Sequence, residues 1–184
     1  MSAAGRHGRR AIRLASAEDA AALLALQRRL DAQSSFMLLE PDERNETPAR
    51  LRDRLGAQTV TGSFDLLAEQ VGDAGDPTRP LLVGWLAVGV PPYRRAAHAG
   101  HVVLGVDAAH AGRGAGGDLL TAAVREAARR GLRRLELTVM TDNLRAIGLY
   151  LRHGFTVEGL RRQALLRDGV PVDEYHMARL LPGR

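Results

Sequence analysis

From Gly112 to Gly117 the chain reads Gly-Arg-Gly-Ala-Gly-Gly, and such a stretch can hold phosphate. Glycine lets the backbone approach an anion with no Cβ in the way. If a helix starts there, its first N–H groups and its dipole both favour negative charge. Arg113 adds a cation to the same loop. Read literally, Gly112-x-Gly114-x-x-Gly117 matches the dinucleotide fingerprint, but two features argue against that use. In a dinucleotide fold the first glycine follows its strand directly and an acid ends the next parallel strand. Here Asp107 to Ala111 intervene after Val106, and the nearest acid, Glu136, falls inside a strand.

Other side chains could move protons. Tyr150 carries a phenol with an ordinary pKa of about 10, which holds its proton at neutral pH. Its spacing of three and four residues from Ile147 and Ala146 fits a core tyrosine on an amphipathic helix as well. Asn143 reads as a helix N-cap, Arg145 as a first-turn residue within reach of a phosphate, and His110 and Asp107 as residues that shape the loop. The candidate bases are Glu136, His101, Glu40 and Glu43. Of these Glu40 is slightly favoured, because Phe36-Met37-Leu38-Leu39 would give it an apolar setting that raises its pKa. A water relay to a distant carboxylate would serve equally. There is no cysteine, so disulfides and a thiol nucleophile are excluded, and the six histidines show no metal-ligand spacing, so no metal is expected.

Regular elements must position these groups. Ala11 to Leu14 reads as a short strand, and Ser16 with Asp19 as a capping box ahead of a helix ending near Gln33. The segment Ser35 to Glu46 is irregular, and Thr47-Pro48 opens a second helix through about Leu55. Phe64 to Val71 and Leu81 to Val90 read as antiparallel strands joined by a loop from Gly72 to Pro80. His101 to Val106 is a strand leading into the glycine loop, and the helix after the loop closes at Gly131. Arg134 to Met140 is a strand, and Asn143 starts a helix to about His153. Asp168-Gly169 joins Thr156 to Leu166 and Pro171 to Leu181 as a hairpin.

Two segments resemble signatures of the GNAT superfamily of N-acetyltransferases, in bacterial form. Val106 to Gly116 is similar to its acetyl-coenzyme A motif, [Q/R]-x-x-G-x-[G/A] after a strand, with Ala111 at the Gln/Arg position, where only a backbone N–H is left to contribute. Asn143 to Phe155 is similar to N-x-x-A-x-x-L-Y-x-x-x-G-F. The tail, with Glu158-Gly159, Asp168-Gly169 and Asp173 to Met177, resembles the acceptor-side hairpin.

The resemblance implies an α/β fold: a mixed, centrally splayed, mostly antiparallel sheet of about seven strands flanked by about four helices. It implies transfer of an acetyl group from acetyl-CoA, as co-substrate, to a primary amine by direct attack in a ternary complex. The acceptor would be a small molecule, a peptide or a protein N-terminus. The implied cofactor residues are Leu104 and Val106 through their backbone, Ala111, Gly112, Arg113, Gly114, Ala115, Gly116, Gly117, Asn143 and Tyr150. Tyr150 would be the general acid, with Glu40 or Glu136 as base. A coenzyme A-binding sensor or scaffold without turnover is the alternative.

Composition agrees with a globular chain: 45% hydrophobic and 26% charged residues suit one domain of ordinary size, expected over 10–184 after a disordered tail over 1–9. The net charge of +5 invites a nucleic-acid reading. All 26 basic residues are arginines spread along the chain, and aromatics are 4%, which leaves few stacking platforms, so no nucleic-acid partner is expected. The longest apolar run is interrupted by Gly84 and Gly89, and the basic start has no apolar stretch behind it. No membrane partner and a cytoplasmic location are the expectation. Exposed edges of the C-terminal hairpin make a homodimer plausible.

Overall fold

The computed structural model describes residues 9–71 and 81–182. The expected tail and the expected loop over 72–80 lie outside the described residues, save Arg9, which opens the first strand. The strands are β1 (Arg9–Leu14), β2 (Phe64–Val71), β3 (Leu81–Gly89), β4 (Ala99–Val106), β5 (Arg134–Met140), β6 (Thr156–Arg167) and β7 (Val170–Leu180). The helices are α1 (Ala20–Gln33), α2 (Pro48–Gly56), the four-residue α3 (Gln58–Thr61), α4 (Ala115–Arg129) and α5 (Leu144–Arg152).

Local chemistry sets most of these ends. The Thr47 hydroxyl accepts the N–H of Arg50 and Pro48 takes the first turn of α2. Gly131 closes α4 with φ +81°, and the Asn143 side chain accepts the N–H of Ala146 to cap α5. Asp168 and Gly169 both have positive φ, as a type I′ hairpin turn requires. At Asp19 the carboxylate accepts the Ser16 N–H as expected, but a 3-10 turn over Ala17–Asp19 precedes α1.

The sheet runs β1-β2-β3-β4-β5-β7-β6, and every neighbouring pair is antiparallel except β4 and β5. That one parallel pair holds only from Ala99↔Arg134 to His101↔Glu136. Beyond this rung Val102–Val106 and Leu137–Met140 diverge, so the sheet is split at its centre, as expected. One face packs on α4 and α5, with Leu86, Val102, Leu119, Leu120, Leu135 and Phe155 in its core. The other packs on α1 and α2, through Leu23, Leu26, Leu30, Leu51, Leu67 and Trp85. Strand β6 lies at the sheet's edge and leaves Val157, Leu160 and Leu166 exposed.

A buried polar knot ties α2 and α3 to this sheet. The Asp65 carboxylate, 1% exposed, accepts from the Trp85 indole N–H, from the Gln58 amide and from Arg54. Removing it would leave donors stranded in the core, which costs about 3 kcal/mol or more. Asp65→Ala is therefore expected to lower Tm by about 10 °C in a thermal melt.

Candidate active site

The glycine loop is built as an anion cradle. Gly112 and Gly114 have φ of +78° and +91°, conformations open to glycine but strained for other residues. Gly114 is the residue before α4, and among the described residues no side chain caps that helix. The first-turn N–H groups, from Ala115, Gly116 and Gly117, thus have no partner inside the helix and face the loop mouth. Space around them is tight. A Cβ on Gly116 would come within 3.0 Å of Leu149 and 3.8 Å of Leu104 and Val106, so α4, α5 and β4 meet at this residue.

Side chains from three directions hold the loop. Asp107 accepts the Ala109 N–H at 3.0 Å and lies 3.4 Å from Arg29 of α1. Burial pushes its carboxyl up, but that N–H and the Arg29 guanidinium outweigh burial and hold the pKa below the ordinary value. His110 Nδ1 is buried, 3.7 Å from Asp107, and has no hydrogen-bond partner among the described residues. Arg145, from the first turn of α5, brings Nη2 within 3.5 Å of where a Cβ on Gly112 would lie. The expectation for Ala111 needs correction. Its N–H is already bonded to the Ala108 carbonyl at 3.2 Å, because a 3-10 turn over Ala108–His110 ends there. Neither its side chain nor its N–H is left for a ligand.

The split strand supplies further backbone groups. The Asp107 N–H points to Val83 of β3, at 2.9 Å. Alternation along the strand then turns the N–H and C=O of Val106 and Leu104 away from β3, into the opening between β4 and β5. A linear ligand anchored at the glycine loop could lie along this edge.

Tyr150 is buried in the core beside Phe155, with ring centroids 5.8 Å apart. Burial pushes its phenol up to about 12, so it keeps its proton across the physiological range. Asn143, with its oxygen committed to the cap, stands just past the end of β5, on the side of the sheet where β4 and β5 no longer pair.

The candidate bases separate. Glu40 is exposed, and so are Phe36 and Leu38, so the apolar enclosure expected from the sequence does not form. Its N–H donates to the neighbouring Glu43 carboxylate, likewise exposed. Glu136 and His101 face one another across the last paired rung before the split, on the face opposite α4 and α5. Behind them on this face His176 lies 3.8 Å from Glu136 and 3.7 Å from Glu158, and Arg134 is paired with both carboxylates. His101 keeps one side open to solvent. Burial nevertheless lowers its pKa below the ordinary histidine value, against a raising pull from Glu136, with His176 lowering it and Glu174 raising it to smaller extents.

The opening's far wall is a second convergence that local sequence does not reveal. Arg167, at the end of β6, stacks 5.4 Å from the Phe36 ring centre, contacts the Met140 sulfur at 3.6 Å and pairs with Asp142. Three segments far apart in sequence meet here.

Comparisons with known proteins place this strand, glycine loop and helix in a family. The profile of the acetyltransferase (GNAT) family matches residues 29–155. This chain belongs to that family. Its α/β fold, its dependence on acetyl-CoA as co-substrate and its class, an N-acetyltransferase, follow. Over 133 residues the chain is 34% identical to the L-amino acid N-acetyltransferase AaaT of Escherichia coli, covering 71% of this chain and 73% of that one. A GNAT acetyltransferase of Streptococcus pneumoniae superposes with a TM-score of 0.85 at 28% identity, over 95% of this chain and all of the other (100%). A phosphinothricin acetyltransferase of Sinorhizobium meliloti, solved with acetyl-CoA, shares the fold at 18% identity with a TM-score of 0.78, over 94% and 88%. These relatives are bacterial, as the sequence signatures implied.

Within this GNAT chain the cradle residues fit a diphosphate: two glycines hold conformations strained for other residues, and free N–H groups line a mouth that side chains would fill. Among the described residues no helix is long and apolar enough to cross a membrane.

Proposed function

We propose that the chain acetylates the α-amino group of a free amino acid or a similar small amine by direct attack in a ternary complex. What supports this most is the rung His101↔Glu136, which sets a base at the point where β4 leaves β5 and exposes its backbone. When bound, acetyl-CoA supplies the activated acetyl group. The N–H groups of Ala115, Gly116 and Gly117 would hold its diphosphate, with Gly112, Arg113, Gly114 and Arg145 around it, and the backbone of Leu104 and Val106 would hold the arm that follows. Asn143 lies where it could steady the same arm. The likeness to an L-amino acid N-acetyltransferase favours a free amino acid over a peptide or protein N-terminus.

In this reading His101 takes the amine proton, Glu136 orients the imidazole, and Glu40 has no role because nothing shields it. A neutral imidazole is available at neutral pH because the lowered pKa keeps His101 unprotonated there. Tyr150 donates to the departing sulfur. Its high pKa does not forbid this, since the same dry surroundings raise the pKa of the leaving thiol. The exposed edge of β6 is where a homodimer would form.

The test is an amino-acid panel assayed for thiol release, with initial-rate patterns and a pH profile for the best acceptor. Lines that intersect in double-reciprocal plots support the ternary complex, and parallel lines refute it. The acid limb of kcat/KM should fall below pH 6.5, the ordinary histidine value, because His101 must lose its proton and its pKa is lowered. Glu136→Gln removes the raising pull and should shift that limb to lower pH. His101→Gln should abolish the limb and cut kcat/KM about a hundredfold. A limb unmoved by both changes would remove His101 and leave a water relay.

A further inference from the structure

Ala111 offers the loop nothing, and the cradle contains an acid: Asp118 is the one carboxylate in the first turn of α4. A negative charge there suits the helix dipole but would repel a diphosphate bound at the same terminus. Arg10 resolves the conflict from a strand 108 positions earlier in the chain. It stands at the start of β1, yet Nη1 reaches the Asp118 carboxylate at 2.6 Å and Nη2 donates to the Arg113 carbonyl at 2.9 Å. Its Nη1 also lies 3.7 Å from where a Cβ on Gly114 would be. The Arg10 side chain is 19% exposed, while that of Asp118 is 54% exposed.

The geometry points to Arg10 as the cation that completes the coenzyme A cradle. It cancels Asp118, so that a diphosphate at Gly114 meets no net negative charge, and it holds the Arg113 carbonyl in a hydrogen bond. A residue that no local motif marks thus tunes affinity for the diphosphate part of the co-substrate. The β1 strand positions it, since β1 pairs with β2 from Arg9↔Val71 to Leu14↔Leu66 and so has a defined register.

The experiment is calorimetric titration with acetyl-CoA of wild type, Arg10→Ala, Asp118→Asn and the double variant, each checked by thermal melt. Wild-type binding tests the acetyl-CoA assignment by itself. Arg10→Ala should weaken acetyl-CoA about tenfold, since a bare carboxylate replaces a covered one. Asp118→Asn should bind as tightly as wild type or tighter, and the double variant should recover part of the loss. S-acetylpantetheine, which lacks the diphosphate, should compete equally well against wild type and Arg10→Ala. Should Arg10→Ala melt too low to titrate, Arg10→Gln, which keeps a donor for the Arg113 carbonyl, carries the same comparison. Binding by the arginine variants within twofold of wild type overturns the proposal. Equal weakening by Asp118→Asn and Arg10→Ala also overturns it, for the pair would then serve only the fold.

Discussion

Tyr150→Phe is expected to lower kcat by about a hundredfold or more, while the Kd for acetyl-CoA stays within about twofold. Phenylalanine fills the same hole beside Phe155, so packing and Tm should change little. Only the hydroxyl is lost. In wild type that hydroxyl is protonated at any pH used for assay, because burial raises it to about 12. It can therefore donate to a developing negative charge without first having to take up a proton. The effect should fall on kcat rather than on KM, since a donor to the departing sulfur acts after binding. A change of leaving group checks the assignment: a thioester whose thiol has a lower pKa should suffer less from the substitution. An unchanged kcat would make Tyr150 a core residue whose hydroxyl does nothing in the reaction. A fall in kcat accompanied by a large drop in Tm would point to packing instead.

Features written in consecutive residues were legible. Thr47-Pro48, Gly131, Asn143 and Asp168-Gly169 each act on the backbone within a few positions, and each stands where the spacing puts it. The glycine loop was legible for the same reason. What escaped depends on partners that sequence does not place side by side. Gln163 has φ +50° and breaks the register of β6 between Arg161 and Leu165, a strain nothing in the residue type announces. Gln58–Thr61 form the short α3 because Gln58 is drawn onto Asp65 across seven residues. The apolar run before Glu40 looked like an enclosure, but Phe36 turns outward to meet Arg167 from the far hairpin. The pairing of His101 with Glu136 needs the register of the parallel strands β4 and β5, and a three-rung match has no local signal. Arg10 at Asp118 is the extreme case, with a sequence separation of 108.

Gly114→Asp should abolish detectable acetyl-CoA binding, a loss of about a hundredfold or more, while the fold survives. Two effects add at this residue. The backbone there has φ +91°, where any side chain brings strain of about 1–2 kcal/mol. The new carboxylate would also stand at the helix terminus where the diphosphate binds, 3.7 Å or so from Arg10 Nη1 measured at the Cβ position, and would draw that guanidinium from Asp118 and Arg113. Gly114→Ala separates the two, because it carries the strain without the charge, and should weaken binding only about tenfold. The gap between the two variants should narrow in high salt, where charge is screened, and strain should not respond. If alanine and aspartate were equally damaging at every ionic strength, the loop would bind through its shape alone. If neither weakened acetyl-CoA, the diphosphate would lie elsewhere, and the free N–H groups of α4 would need another ligand.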